Sequence, residues 1–256
     1  MSYGKHLIIF TVATALWAAV GAEILPSPMK HCTLHDEACI LEQAKIYFRD
    51  FKYGLPAWNI PSVEPLQLGT LRIKSGGASD SMQFSLIMRD TTLHHFSDRA
   101  ILRSVKGFSA DLTKPLKLIW IVNSPDIEVR ANYEVDGKLL ILPIVSKGTM
   151  VINLSQMQSK TRLTAVPEQR PDGHSYLKIT DYKTVAKVSS GSFNMSNLFD
   201  DNVELRDSTL KVLNDEWSAL SADIQPKILE AADRAYRTVL QMLFDKIPYD
   251  EFFLKE

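Results

Sequence analysis

Glycine and proline are sparse, at 11 and 12 of 256 residues, which argues against a fibrous or disordered chain. Basic excess is missing too: Lys and Arg number 29, Asp and Glu 30, for a formal net charge of −1. No segment is strongly basic, so a nucleic-acid partner is not expected, and no polybasic arm marks a membrane surface. A Gly-x-Ser-x-Gly elbow, a His-Glu-x-x-His helix and a glycine-rich phosphate loop are all absent. Gly76-Gly77 lacks the lysine and helix that such a loop requires. No enzymatic activity, cofactor or metal is expected from this pattern. His94 and His95 are adjacent and read as solvated, and Asp98 with Arg99 reads as a surface pair.

Cysteine is also scarce. Cys32 and Cys39 are the two in the chain, and in an oxidising compartment they read as one disulfide. Seven residues along one helix would separate their α-carbons by about 10 Å, too far to bridge. Cys32 should therefore lie outside the helix that carries Cys39. His31 and His35 stand too close to the cysteines in sequence for all four to converge on one ion.

One hydrophobic run is present, from Leu7 to Val20, behind Lys5 and His6 and ahead of the small residues Gly21 and Ala22. It is too short to span a bilayer, which demands about 20 residues. Residues 1–22 read as a secretory signal, leaving a single domain over 23–256 in a secreted, extracellular product. No stable membrane insertion is expected, and a monomer is the default state. Asn153-Leu154-Ser155 and Asn194-Met195-Ser196 are glycosylation sequons, the first on a strand and the second in a loop-like stretch.

The longest patterned stretch covers residues 205–247. Leu210, Leu213, Trp217, Leu220, Ile224, Ile228, Ala232, Ala235, Val239, Leu243 and Ile247 recur every three or four positions. That is one continuous apolar helical face, roughly 60 Å long if straight. Pro226 predicts a bend over 223–226, or a second helix starting at Pro226. A shorter stripe, Leu34, Ala38, Leu41, Ala44, Phe48 and Phe51, predicts a helix capped by Thr33 and ended by Gly54. Three prolines over 56–65 predict an extended crossing segment.

From Leu66 to Ser192 the period changes to two. Leu71/Ile73, Phe84/Leu86/Met88, residues 117–122, 127–135 and 138–144, Met150/Ile152/Leu154, residues 162–166 and 176–188 read as strands. Turns are expected at Gly76-Gly77, Asp136-Gly137, Lys147-Gly148 and Pro171-Asp172-Gly173. Long strands joined in order by tight turns make an antiparallel sheet. The long helix needs covering and the sheet has a face to hide, so an α+β fold follows, with a strongly curved sheet wrapped around the helix.

Several strings then resemble the takeout and juvenile-hormone-binding-protein family of secreted insect lipid carriers. They are Cys32 to Cys39 ahead of a helix; Gly54-Leu55-Pro56, Ile60-Pro61 and Glu64-Pro65-Leu66; and Tyr133-Glu134-Val135-Asp136-Gly137-Lys138 through Leu142-Pro143-Ile144 to Gly148 and Ile152-Asn153-Leu154. Asn197-Leu198-Phe199 with Leu213-Asn214-Asp215-Glu216-Trp217, and Ile247-Pro248-Tyr249-Asp250-Glu251-Phe252-Phe253, complete the series. The resemblance implies a tubular fold with an internal apolar tunnel. It implies a carrier of juvenile hormone, another terpenoid or a fatty-acid-like lipid, in a haemolymph, circadian or feeding setting. The hormone carriers commonly have a second disulfide, which these two cysteines cannot form, so the chain looks closer to takeout.

Trp58, Phe84, Phe108, Trp120, Tyr133, Met150, Leu213 and Trp217 are candidate ligand-lining residues, with core packing as their plainer role. Met82, Met88, Met150 and Met157 are adaptable side chains suited to a lining that fits several ligands, and equally to plain core filling. The alternative to a carrier is a secreted signalling or interaction protein with a filled core that acts through protein partners.

Overall fold

The computed structural model describes residues 25–76, 82–139, 142–199 and 202–254. The expected signal segment, 1–22, lies outside them, as do Gly77 and the Met82 side chain. Helix α1 (Glu37–Asp50) comes first; strands β1 (Leu66–Ser75), β2 (Met82–His94), β3 (Ile101–Lys106), β4 (Leu116–Leu139), β5 (Leu142–Gln169), β6 (Ser175–Lys187) and β7 (Ser190–Met195) follow. Helices α2 (Val203–Asp215) and α3 (Trp217–Phe244) close the fold.

The sheet has seven strands, and every pairing is antiparallel. Its spine is the hairpin β4–β5, whose register runs from Leu116↔Ala165 to Leu139↔Leu142. On the free side of β4, β2 takes residues Glu128 to Leu139 and β3 takes Ile119 to Asn123. On the free side of β5, β7 takes Met150 to Ser155 and β6 takes Gln158 to Gln169. Each spine strand thus serves two shorter partners end to end.

Two expected turns are strand residues. Asp136 and Gly137 pair with Val145 and Ile144, and Lys147 and Gly148 pair with Glu134 and Tyr133. Their glycines serve close packing, as glycines inside strands often do. A Cβ on Gly137 would stand 2.2 Å from the Gln83 carbonyl oxygen, and one on Gly148 would stand 2.6 Å from that of Ser196. The segments expected as separate strands therefore join into two long ones. Pro171-Asp172-Gly173 is a turn as expected, with Gly173 at φ +87°.

Asp36, and not Thr33, caps α1: its carboxylate accepts the Cys39 N–H at 2.9 Å. The Cys32–Cys39 disulfide ties the start of α1 to the preceding segment, with α-carbons 5.8 Å apart. That segment is also joined to the C-terminus, because the Leu254 N–H donates to the Cys32 carbonyl at 2.9 Å. The helix ends at Asp50, and Gly54 follows in a turn at φ +86°. The proline-rich stretch is less extended than expected: Pro56–Trp58 form a single 3-10 turn, and Leu55 and Ile60 bond to each other.

The C-terminal axis breaks at Glu216, ten residues before Pro226, which sits inside α3. Just before the break the Asn214 amide is committed to β7, where Oδ1 accepts the Phe193 N–H at 2.7 Å and Nδ2 donates to the Phe193 carbonyl at 3.3 Å. Trp217 then starts α3 over Gly191, where a Cβ would stand 2.4 Å from the indole ring. Leu220, Ile224, Ile228, Ala232, Val239 and Leu243 are buried on α3, at the expected period. The main core joins that helix face to Leu86, Met88, Val129, Ile152 and their neighbours on the sheet.

Candidate functional site

Cavities lie between α3 and the sheet, and they follow the helix. The first, about 180 Å³, sits at the C-terminal end of α3. Helix α1 supplies one wall with Ile40, Ala44, Tyr47, Phe48 and Phe51; α3 supplies Tyr236, Val239, Leu240, Leu243 and Phe244. The sheet contributes Val105, Leu118, Trp120, Leu163, Leu177 and Tyr182, and the chain end contributes Tyr249, Phe252 and Phe253. The second cavity, about 50 Å³, is lined by Ile127, Ile152, Leu154, Met157, Trp217, Ile228 and others. The third, about 60 Å³, lies between Phe84, Leu86, Met150, Phe193, Leu213 and Leu220. Phe96, Tyr182 and Tyr236 line both the first and second, and Ile224 lines both the second and third. Among the described residues, three cavities with shared walls lie where the tunnel is expected.

The eight ligand candidates divide among them. Phe108 and Trp120 line the first cavity, Trp217 the second, and Phe84, Met150 and Leu213 the third. The other two lie at none of the three. Trp58 packs on the small core around Ile60, Val239 and Leu243. Tyr133 is 1% exposed; its hydroxyl donates to the Ser196 carbonyl at 2.7 Å and lies 2.9 Å from the Ser146 hydroxyl. It fastens the chain after β7 to the β4–β5 spine. Met88 is core, and Met157 faces the second cavity.

Sequence reasoning missed the tyrosines of the first cavity. Tyr236 falls four residues after Ala232 on the helical period, and Tyr47 three after Ala44, so both sat in view on apolar faces. Burial pushes the phenols of Tyr47, Tyr182 and Tyr236 above the ordinary tyrosine range, so all three stay neutral. Asp233 lines the second cavity; burial raises its carboxyl, while the Thr184 N–H, donating at 3.0 Å, works against the shift.

Among the described residues, two groups bring three metal-ligand atoms within 4.8 Å of one another: Glu64 with His95 and Asp98, and His174 with Asp250 and Glu251. The first has a structural use, since Glu64 accepts the N–H groups of His95 at 2.8 Å and Ser97 at 3.2 Å. His94 and His95 are half-buried, and His94 lies 2.9 Å from the Thr92 hydroxyl. The second group pins the C-terminal segment, with His174 Nδ1 3.0 Å from Asp250. Both sequon asparagines are exposed, and Asn194 lies on β7 and not in a loop.

No helix among the described residues is long and apolar enough to cross a membrane. The family model for haemolymph juvenile hormone binding protein matches residues 7–254. The circadian clock-controlled protein daywake of Drosophila yakuba is 54% identical over 231 residues, covering 90% of this chain and 89% of that protein. The protein of the same name from Drosophila melanogaster is 50% identical over 256 residues, covering 99% and 98%. The crystal structure of Epiphyas postvittana Takeout 1 superposes with a TM-score of 0.75 at 24% identity, covering 86% of this chain and 97% of that one, and so shares the fold. Family model, relatives and fold agree: the chain belongs to the haemolymph juvenile hormone binding protein family, in which takeout is also placed.

Proposed function

We propose that this protein is a secreted carrier that holds a small apolar ligand between α3 and the sheet and performs no chemistry on it. The observation that carries the reading is the first cavity. Its wall is almost wholly hydrocarbon and aromatic ring, with Lys30, Gln43 and Ser97 as the polar side chains besides the tyrosines. Apolar burial yields about 25 cal/mol per Å². A ligand burying roughly 400 Å² would gain about 10 kcal/mol before the entropic cost of association. Juvenile hormone, another terpenoid or a fatty-acid-like lipid would suit such a wall. Membership of the juvenile hormone binding family supports the first, and the circadian clock-controlled relatives support a clock-linked role.

Residues 1–22 serve in this reading as a secretory leader, and exposed Asn153 and Asn194 as sugar acceptors. The carrier acts as a monomer. Native mass spectrometry of the secreted protein, followed by solvent extraction, tests the proposal. A stoichiometric apolar molecule is expected. A protein that arrives empty and ignores terpenoids, fatty acids and quinones would overturn the carrier and favour action through protein partners.

A further inference from the structure

Two hydroxyls in the wall of the first cavity have no hydrogen-bond partner in the protein: those of Ser97 and Tyr236. Both oxygens are shielded from solvent, and Ser97 is only 4% exposed. The Ser97 backbone is held by Glu64, whose carboxylate accepts the Ser97 N–H at 3.2 Å and the His95 N–H at 2.8 Å. Tyr236 stands on α3 with its ring 5.2 Å from that of Phe96. The Ser97 hydroxyl opposes the upward shift of the Tyr236 phenol as a neighbouring hydrogen-bonding group does, but the geometry between the two is too poor for a proper hydrogen bond and leaves both oxygens without a partner.

A buried hydroxyl left unpaired is costly, and a protein seldom keeps two side by side without use. Tyr236 lines both the first and second cavities, so this pair marks the boundary between them. The charge around the first cavity restricts what the pair can receive. Among its described lining residues the one charged side chain is Lys30, which is exposed. A carboxylate brought as deep as Tyr236 would have no counter-charge in that wall and would pay the full cost of desolvation.

The geometry points to Ser97 and Tyr236 as a paired anchor for one neutral oxygen of the bound lipid, whether carbonyl, ether or hydroxyl, with the hydrocarbon body in the first cavity. The inference rests on the carrier reading and goes further by choosing neutral oxygenated lipids over hydrocarbons and ionised fatty acids. Both hydroxyls can donate, so a single carbonyl oxygen with two lone pairs can satisfy both.

Displacement of a fluorescent apolar probe from the full secreted protein tests this. The competitors are a methyl ester, the ionised free acid and the plain hydrocarbon of one chain length, and the proteins are wild type, Tyr236→Phe, Ser97→Ala and Lys30→Ala. Wild type should bind the ester roughly tenfold tighter than the hydrocarbon, the size expected for pairing buried donors. Tyr236→Phe and Ser97→Ala should each lose most of that preference, read as the ratio of ester to hydrocarbon affinity within the same protein. Their melting temperatures should not fall, since each removes a hydroxyl that makes no bond. Equal binding of ester and hydrocarbon by wild type, or an ester preference that survives both substitutions, would overturn the anchor and leave the carrier standing. So would an acid that binds tighter than the ester and loses its advantage in Lys30→Ala, because that places the head group at the exposed lysine. If no competitor and no probe binds wild type, the carrier fails and the anchor with it.

Discussion

His174 is the residue through which pH acts most directly on the wall of the first cavity. Its ring nitrogen lies 3.0 Å from Asp250 and 3.8 Å from Glu251, in the segment that continues into Phe252 and Phe253. The hydrogen bond that its ring N–H donates to the Asp250 carboxylate raises the imidazole above its ordinary value of 6.5. A histidine raised on folding contributes stability that is fully present below its unfolded pKa and lost as pH rises through the folded one. His174→Ala should therefore be less stable than wild type below pH 6.5, and the gap should shrink as pH climbs past the raised value. Urea midpoints followed by tryptophan fluorescence across that window check it, and a gap that does not change with pH would remove His174 from the account. Gly137 and Gly148 illustrate a different limit at this scale. Each reads locally as a turn signal, yet each gives passage to another strand's backbone or to the chain after β7. A close approach by a segment distant in sequence leaves no local mark.

Among the elements, α1 joins the carrier reading to the disulfide. It presents Ala44, Tyr47 and Phe48 to the first cavity while Cys39, in its first turn, holds it to Cys32. The Asp36 cap and the disulfide act on the same end. A closed loop of this length should contribute about 2–3 kcal/mol by restricting the unfolded chain. Replacing both cysteines by alanine should cost about that much in urea unfolding and speed ligand release by loosening the α1 wall. Stopped-flow displacement measures the second effect, and an unchanged off-rate would show that α1 keeps its place without the bridge. The period of α3 was legible because the core lies along one side of it for its whole length. The break at Glu216 was not, because the same apolar period runs through Leu213, Trp217 and Leu220 on both sides of it. Pro226 does not begin a second helix: it is exposed, and α3 passes through it.

At the scale of the whole molecule, the interior is compartmented, and the compartments differ in size by about threefold, with about 180 Å³ in the first and about 60 Å³ in the third. The larger one should hold the ligand. Ala44→Trp, which fills the first cavity from α1, should weaken binding by roughly a hundredfold or more, since an overfilled wall leaves the ligand no room to bury its surface. Leu213→Phe, in the third cavity, should leave affinity within a few-fold. Titration with the ligand recovered from the native protein compares them; the reverse ranking would move the site to the other end of α3.

The sequence alone determined the α+β class, the antiparallel order, the face of α3 that is buried, the pairing of Cys32 with Cys39 and the family. Each depends on local period, on spacing along the chain or on short strings. Only the tertiary structure decided that five apparent strand segments and their turns are two long strands, that Tyr133 and Trp58 stand away from the three cavities between α3 and the sheet, and that Ser97 and Tyr236 share a wall. An apolar side chain obeys the same period whether it faces a neighbour or an empty space. Which of the two it faces depends on how well residues far apart in the chain fill the volume between them.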